Sequence, residues 1–63
     1  MSMKEAIESY VGEGIYVLMA GFQAPMFGIV VDCVNDWFVM KTGQSETQYF
    51  DMTKTISFWP EKV

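Results

Sequence analysis

Apolar positions along the chain fall first at helical and then at strand spacing. Met3, Ile7, Tyr10 and Val11 recur at intervals that place them on one stripe of a short helix. Ser2 followed by Glu5 has capping-box spacing, and Glu5 and Glu8 sit near the positive end of the helix dipole. Lys4 and Glu8, four apart, can pair weakly on the wet side. Gly12 and Gly14 end the pattern. The predicted helix is about two and a half turns, too short to hold alone, so its stripe must dock on something.

From Ile15 onward the period changes to two. Ile15 to Phe22 is apolar on both alternating sets and is interrupted at Gln23-Ala24-Pro25. Phe27 to Val34 is a second such run, with Asp32 in its latter half. Asn35-Asp36 predicts a two-residue turn into a third strand, Trp37 to Thr42. Thr42 to Glu46 predicts a turn, Thr47 to Met52 a fourth strand, and Thr53-Lys54 a turn into Thr55 to Trp59, stopped by Pro60. Five short strands without crossover helices predict a mainly β fold, an antiparallel meander strongly bent into a small barrel. Residues 1–63 form a single domain, without repeat, linker or low-complexity segment. Strands one to three are apolar on both faces, so one face fills the interior and the other needs cover from the helix or a neighbouring copy. Strands four and five are candidate edges, which invite pairing with another chain.

Composition turns that need into an expectation of assembly. Apolar residues, counting glycine and not tyrosine, make up roughly 54% of 63 residues, against a usual figure of about 45–50%. A chain this short buries only about 60% of its unfolded surface, and small scaffolds recover the shortfall with disulfides, a metal or oligomerisation. One cysteine and no histidine leave no intrachain disulfide and no structural zinc set. Self-assembly remains, and a monomer with an oily surface is the alternative. The net charge of −4 disfavours broad attraction to phosphate or anionic lipid. No apolar run approaches the ~20 residues of a membrane span, the N-terminus lacks the order of a signal peptide, and cytoplasm is the default expectation.

The same inventory argues against catalysis. Without histidine there is no Ser-His-Asp or Cys-His set. Cys33, inside an apolar strand, reads as a small buried hydrophobe. Asp32 and Asp36 could be taken as a carboxylate pair, but they need not converge across a strand end, and Asp36 belongs to a turn. The six methionines are too scattered for a metal motif and suit gap-filling. No cofactor is expected.

Several residues carry a family resemblance. Phe27-Gly28 followed by apolar residues resembles the start of the bent second strand of Sm/LSm proteins, including their Hfq branch. Asp32-Cys33-Val34-Asn35 resembles the Asp-x-Met-Asn that ends the first Sm motif, with valine for methionine. Met52-Thr53-Lys54-Thr55-Ile56 lies where the second motif would fall, and Ile56-Ser57-Phe58-Trp59-Pro60 resembles the closing strand of Hfq. The chain departs in having three residues between Gly28 and Asp32, no glycine after Lys54, and no Tyr-Lys-His element. The resemblance implies an SH3-like, Sm-like barrel that assembles into a homo-oligomeric ring of about five to seven subunits and binds single-stranded RNA, or less readily DNA. By family position Asn35 would supply a base-reading amide, Lys54 a cation near phosphate, and Asp32 the carboxylate that organises the loop holding Asn35. Trp37 or Tyr49 could stack a base. Four of them have a plainer reading, Asn35 as a turn residue, Lys54 as a solvated loop charge, Asp32 as a solvent-facing strand residue, Trp37 as an anchor in a barrel or interface. The alternative function is a structural or protein-interaction module on the same ring scaffold, without a nucleic-acid ligand.

Overall fold

The computed structural model describes residues 2–43 and 46–61. The capping box forms at the N-terminus. The Ser2 hydroxyl accepts from the Glu5 amide at 3.2 Å, and the Glu5 carboxylate accepts from the Ser2 amide at 3.0 Å. Helix α1 nevertheless covers only Met3–Glu8, shorter than the stripe predicts. Ser9, at its C-cap, donates its hydroxyl to the Ala6 carbonyl at 2.6 Å, a local bond that competes with helix continuation. Beyond it, Val30 claims the backbone, accepting from Gly12 at 2.7 Å and donating to Glu13 at 3.0 Å. Of the stripe, Ile7 is fully buried, Met3 and Tyr10 pack against the core, and Val11 remains 47% exposed.

Five strands follow: β1 (Gly14–Met19), β2 (Met26–Val34), β3 (Trp37–Thr42), β4 (Glu46–Asp51) and β5 (Thr55–Pro60). The two-residue turn Asn35-Asp36 joins β2 to β3, and a 3-10 turn, Met52–Lys54, joins β4 to β5. The turn expected through Gln44 and Ser45 lies outside the described residues. β1 stops at Met19, short of Phe22, because the chain folds back in a turn in which Gly21 takes φ 86° and the Phe22 amide donates to the Met19 carbonyl at 3.1 Å. Pro60 ends β5 opposite Ile15, a place open to proline because β5 is an edge strand.

The strands form one antiparallel sheet in the order β4-β3-β2-β1-β5. The first four run as a meander; β5 returns to pair with β1 on the far side. Irregular register at Val30/Asp32 in β2 and at Leu18/Met19 in β1 marks where the ladders bend. Inward residues from all five strands meet with Ile7 in a single core, whose fully buried members include Ile15, Val17, Val30, Phe38 and Met40. Phe38 and Phe50 stack within it at 5.2 Å between ring centroids. Among the described residues no ladder joins β4 to β5, so the sheet ends in two free edges. The helix covers the inner face, leaving Phe27, Ile29 and Val31 on the outer face of β2 exposed.

Gly28 sits close against β3. A Cβ there would lie 2.9 Å from the Lys41 carbonyl oxygen and 3.1 Å from the Met40 Cβ, neither of which can yield without opening the ladder. At Gly14 the obstructing atoms are the Phe27 ring and the Glu61 carboxylate, which can swing away. Gly28→Ala should therefore destabilise the fold by about 1–3 kcal/mol, the usual cost of overpacking, and Gly14→Ala by less. Urea denaturation followed by circular dichroism checks the order; equal midpoints for the two variants would contradict it.

Candidate ligand site at the β2–β3 turn

Hairpin geometry places the site. Val34 and Trp37 close the ladder on either side of Asn35-Asp36, so both side chains emerge on the outer face. Asn35 holds φ at 53°, a left-handed conformation that asparagine tolerates better than most residues. Val39 pairs with Tyr49 and Trp37 with Asp51, which makes Trp37 and Tyr49 diagonal neighbours on one face. Together Val34, Asn35, Trp37 and Tyr49 line an open concavity of about 560 Å³. Its aromatic walls are accessible, Trp37 at 46% and Tyr49 at 67% exposure. Trp37 is thus a surface residue in the single copy and does not anchor the interior of the sheet.

The turn is tied to the next loop. The Met52 amide donates to the Asp36 carbonyl at 2.8 Å, holding the 3-10 turn against the β2–β3 turn. That turn is capped by Asp51, whose Oδ1 accepts from both the amide and the hydroxyl of Thr53, at 2.9 and 2.7 Å. Lys54 stands exposed at its end and does not line the concavity. The two-residue turn already sets Val34 opposite Trp37, but that Val34 lines a site with Tyr49 depends on the β3–β4 register.

Asp32 is exposed on β2, outside the concavity, and its Oδ1 accepts from the next amide, Cys33, at 2.7 Å. Asp36 enters through its backbone. Cys33 turns inward and packs against the core, partly buried. Burial, reinforced by the Glu8 and Asp32 carboxylates and opposed by Lys4, pushes its thiol above the ordinary value of 9.0. A thiol so shifted carries little thiolate near neutrality, consistent with a packing role. Among the described residues no group of three or more His, Cys, Asp or Glu side chains is arranged to hold a metal ion. Nor is any helix long and apolar enough to cross a membrane.

No protein-family model, curated protein or solved structure matches the chain.

The two bonds from Thr53, with help from Lys54, hold the Asp51 carboxyl below its ordinary value of 3.8. The folded state binds that proton more weakly than the unfolded state. The stabilisation is thus complete above the ordinary value and is lost as pH falls through the lowered one. Asp51→Asn should melt below the parent by a constant margin between about pH 5 and 7, and the margin should close below about pH 4. Thermal melts across that range measure it; a margin that persists into strong acid would show the carboxylate charge to be irrelevant.

Proposed function

We propose that this chain is an Sm/LSm-like ring subunit that binds single-stranded RNA, or less favourably DNA, without catalysing a reaction. In this reading the sheet curls into a small SH3-like barrel. β4 of one copy pairs with β5 of the next, so that a closed homo-oligomeric ring satisfies both free edges. The observation that carries the reading is that Asn35, Trp37 and Tyr49 share one concavity beside a turn bonded to the loop bearing Lys54. Trp37 and Tyr49 offer faces on which a base can stack, and the Asn35 amide can donate to and accept from a base edge. Lys54 supplies a cation for the adjoining phosphate. Repetition around a ring would raise the avidity of a site that is weak alone.

The chemistry makes the binding stacking-led. The chain carries four Lys+Arg against eight Asp+Glu, so few counterions are released per site and salt dependence should be shallow. Fluorescence anisotropy with short U-rich and A-rich RNA, and with DNA of the same sequences, tests this. Trp37→Ala should cost about 1–3 kcal/mol per stacked base, and Asn35→Ala and Lys54→Ala should each weaken binding, with assembly intact in all three. Full affinity in both the Asn35 and Lys54 variants would remove this site. Failure of RNA and DNA to bind at tens of micromolar would instead favour a structural or protein-interaction module. Light scattering tests the assembly directly, since a clean 7.2 kDa species would contradict the ring.

A further inference from the structure

The core and the candidate concavity leave unexplained the apolar strip on the outer face of β5, β1 and β2. Trp59, Tyr16 and Phe27 form one cross-strand row, with Tyr16 stacked on Trp59 at 5.7 Å and tilted against Phe27 at 5.1 Å. The next row reads Glu61, Gly14, Ile29, Lys41 across four strands, since Gly14 pairs with Ile29, Ile29 with Lys41, and Glu61 donates its amide to the Gly14 carbonyl. Ile29 and Lys41 are exposed between buried neighbours, and the Glu61 carboxylate lies over Gly14, so all these side chains share the outer face. The strip thus has an apolar centre with an anion at one flank and a cation at the other.

We propose that this face packs against the same face of a second copy, about a two-fold axis running along the strands between β1 and β2. That axis is the one that makes the pattern self-complementary. It leaves each row at its own height and exchanges β5 with β3 and β1 with β2. Glu61 of each copy then faces Lys41 of the other, giving two ion pairs, while Tyr16 faces Phe27 across the centre. Sheets packed face to face lie about 10 Å apart, a gap that an extended lysine and a glutamate can span together. Any other alignment loses at least one of these matches. Sliding one row along the strands faces the charges with apolar side chains, and pairing like strands faces Glu61 with Glu61 and Lys41 with Lys41.

The inner face wraps the core, so the outer face is convex and contact is confined to its central strands. The expected interface is therefore at or below the small end of specific interfaces, under about 1,200 Å² in total. Association is weak and is directed by the paired charges, which select register more than they add affinity. It uses neither the free edges nor the concavity, and so does not depend on the ring. If rings form, they stack back to back; if they do not, the product is a dimer.

Sedimentation velocity at about 100 µM protein and low salt reads this out, a concentration suited to an interface of that size. The wild-type protein should show a species of twice the mass of its basic unit, whether that unit is one copy or one ring. Lys41→Glu and Glu61→Lys should each raise the dissociation constant at least tenfold, with circular dichroism unchanged. The double variant, which restores both pairs with their signs exchanged, should recover to within about twofold. Added salt should weaken the doubled species in the wild type. A wild-type protein that never doubles, single variants that double as well as the parent, or a double variant without recovery would each overturn the proposal.

Discussion

The pairing of β5 with β1 is the constraint on which the rest of the structure depends. β1 to β4 could form a meander through local turns alone, and such a sheet would leave its outer face wet and its inner face covered by α1 alone. β5 instead returns to β1, setting Phe58 opposite Val17 and Pro60 opposite Ile15, about 40 positions apart in sequence. This brings a fifth strand to the far side of the core and bends the sheet around Ile15, Val30, Phe38 and Met40. The price is loop-closure entropy, which long-range β pairing must overcome before any of its contacts form. For 63 residues total stability is expected to be only about 3–9 kcal/mol. The density of that core is what leaves the domain folded, which is why a single Cβ at Gly28 matters.

The same pairing fixes the position of the candidate site. Because β5 leaves β4 by a three-residue 3-10 turn, that turn is drawn against the β2–β3 hairpin and held by the Met52–Asp36 bond. Asp51 serves both structures at once, as cross-strand partner of Trp37 and as cap of the 3-10 turn. The concavity is consequently built on ladder positions, with Val34, Trp37 and Tyr49 fixed by register and Asn35 alone on the turn itself. Side chains on strands are held more firmly than side chains on loops, so a planar ligand would meet walls already in place.

Much of this was legible in the chain. The capping box, the turn at Asn35-Asp36 and the third strand from Trp37 to Thr42 follow from local chemistry and appear where that chemistry puts them. The helix end was not legible, since it is set by a partner distant in sequence, Val30 for Gly12 and Glu13, whereas the first strand ends at a local turn through Gly21 that lies inside the apolar run from Ile15 to Phe22. Two-faced apolar strands likewise say that both faces want cover without saying which the helix takes. At the site, Trp37 and Tyr49 could be named as base-stacking candidates, but that they are neighbours depends on a β3–β4 register that no local signal encodes. Asp32 shows the opposite case, a residue conspicuous in sequence whose visible bond is to the adjacent Cys33 amide.

Charge decides how these parts can be used. An acidic chain without arginine has little with which to grip a phosphate backbone. Under the proposed reading, an occupant of the concavity would therefore be held chiefly by its flat faces and its hydrogen-bonding edge. A single-stranded base meets that requirement and a duplex does not, because its bases are stacked and paired away from both. Under the ring reading, each added copy contributes another aromatic site and a further net charge of −4. Gain by repetition is then largest where screening is strong, and least in dilute salt where repulsion is felt. Affinity that holds or grows as salt rises toward physiological strength is what separates a stacking ring from a basic, phosphate-led binder.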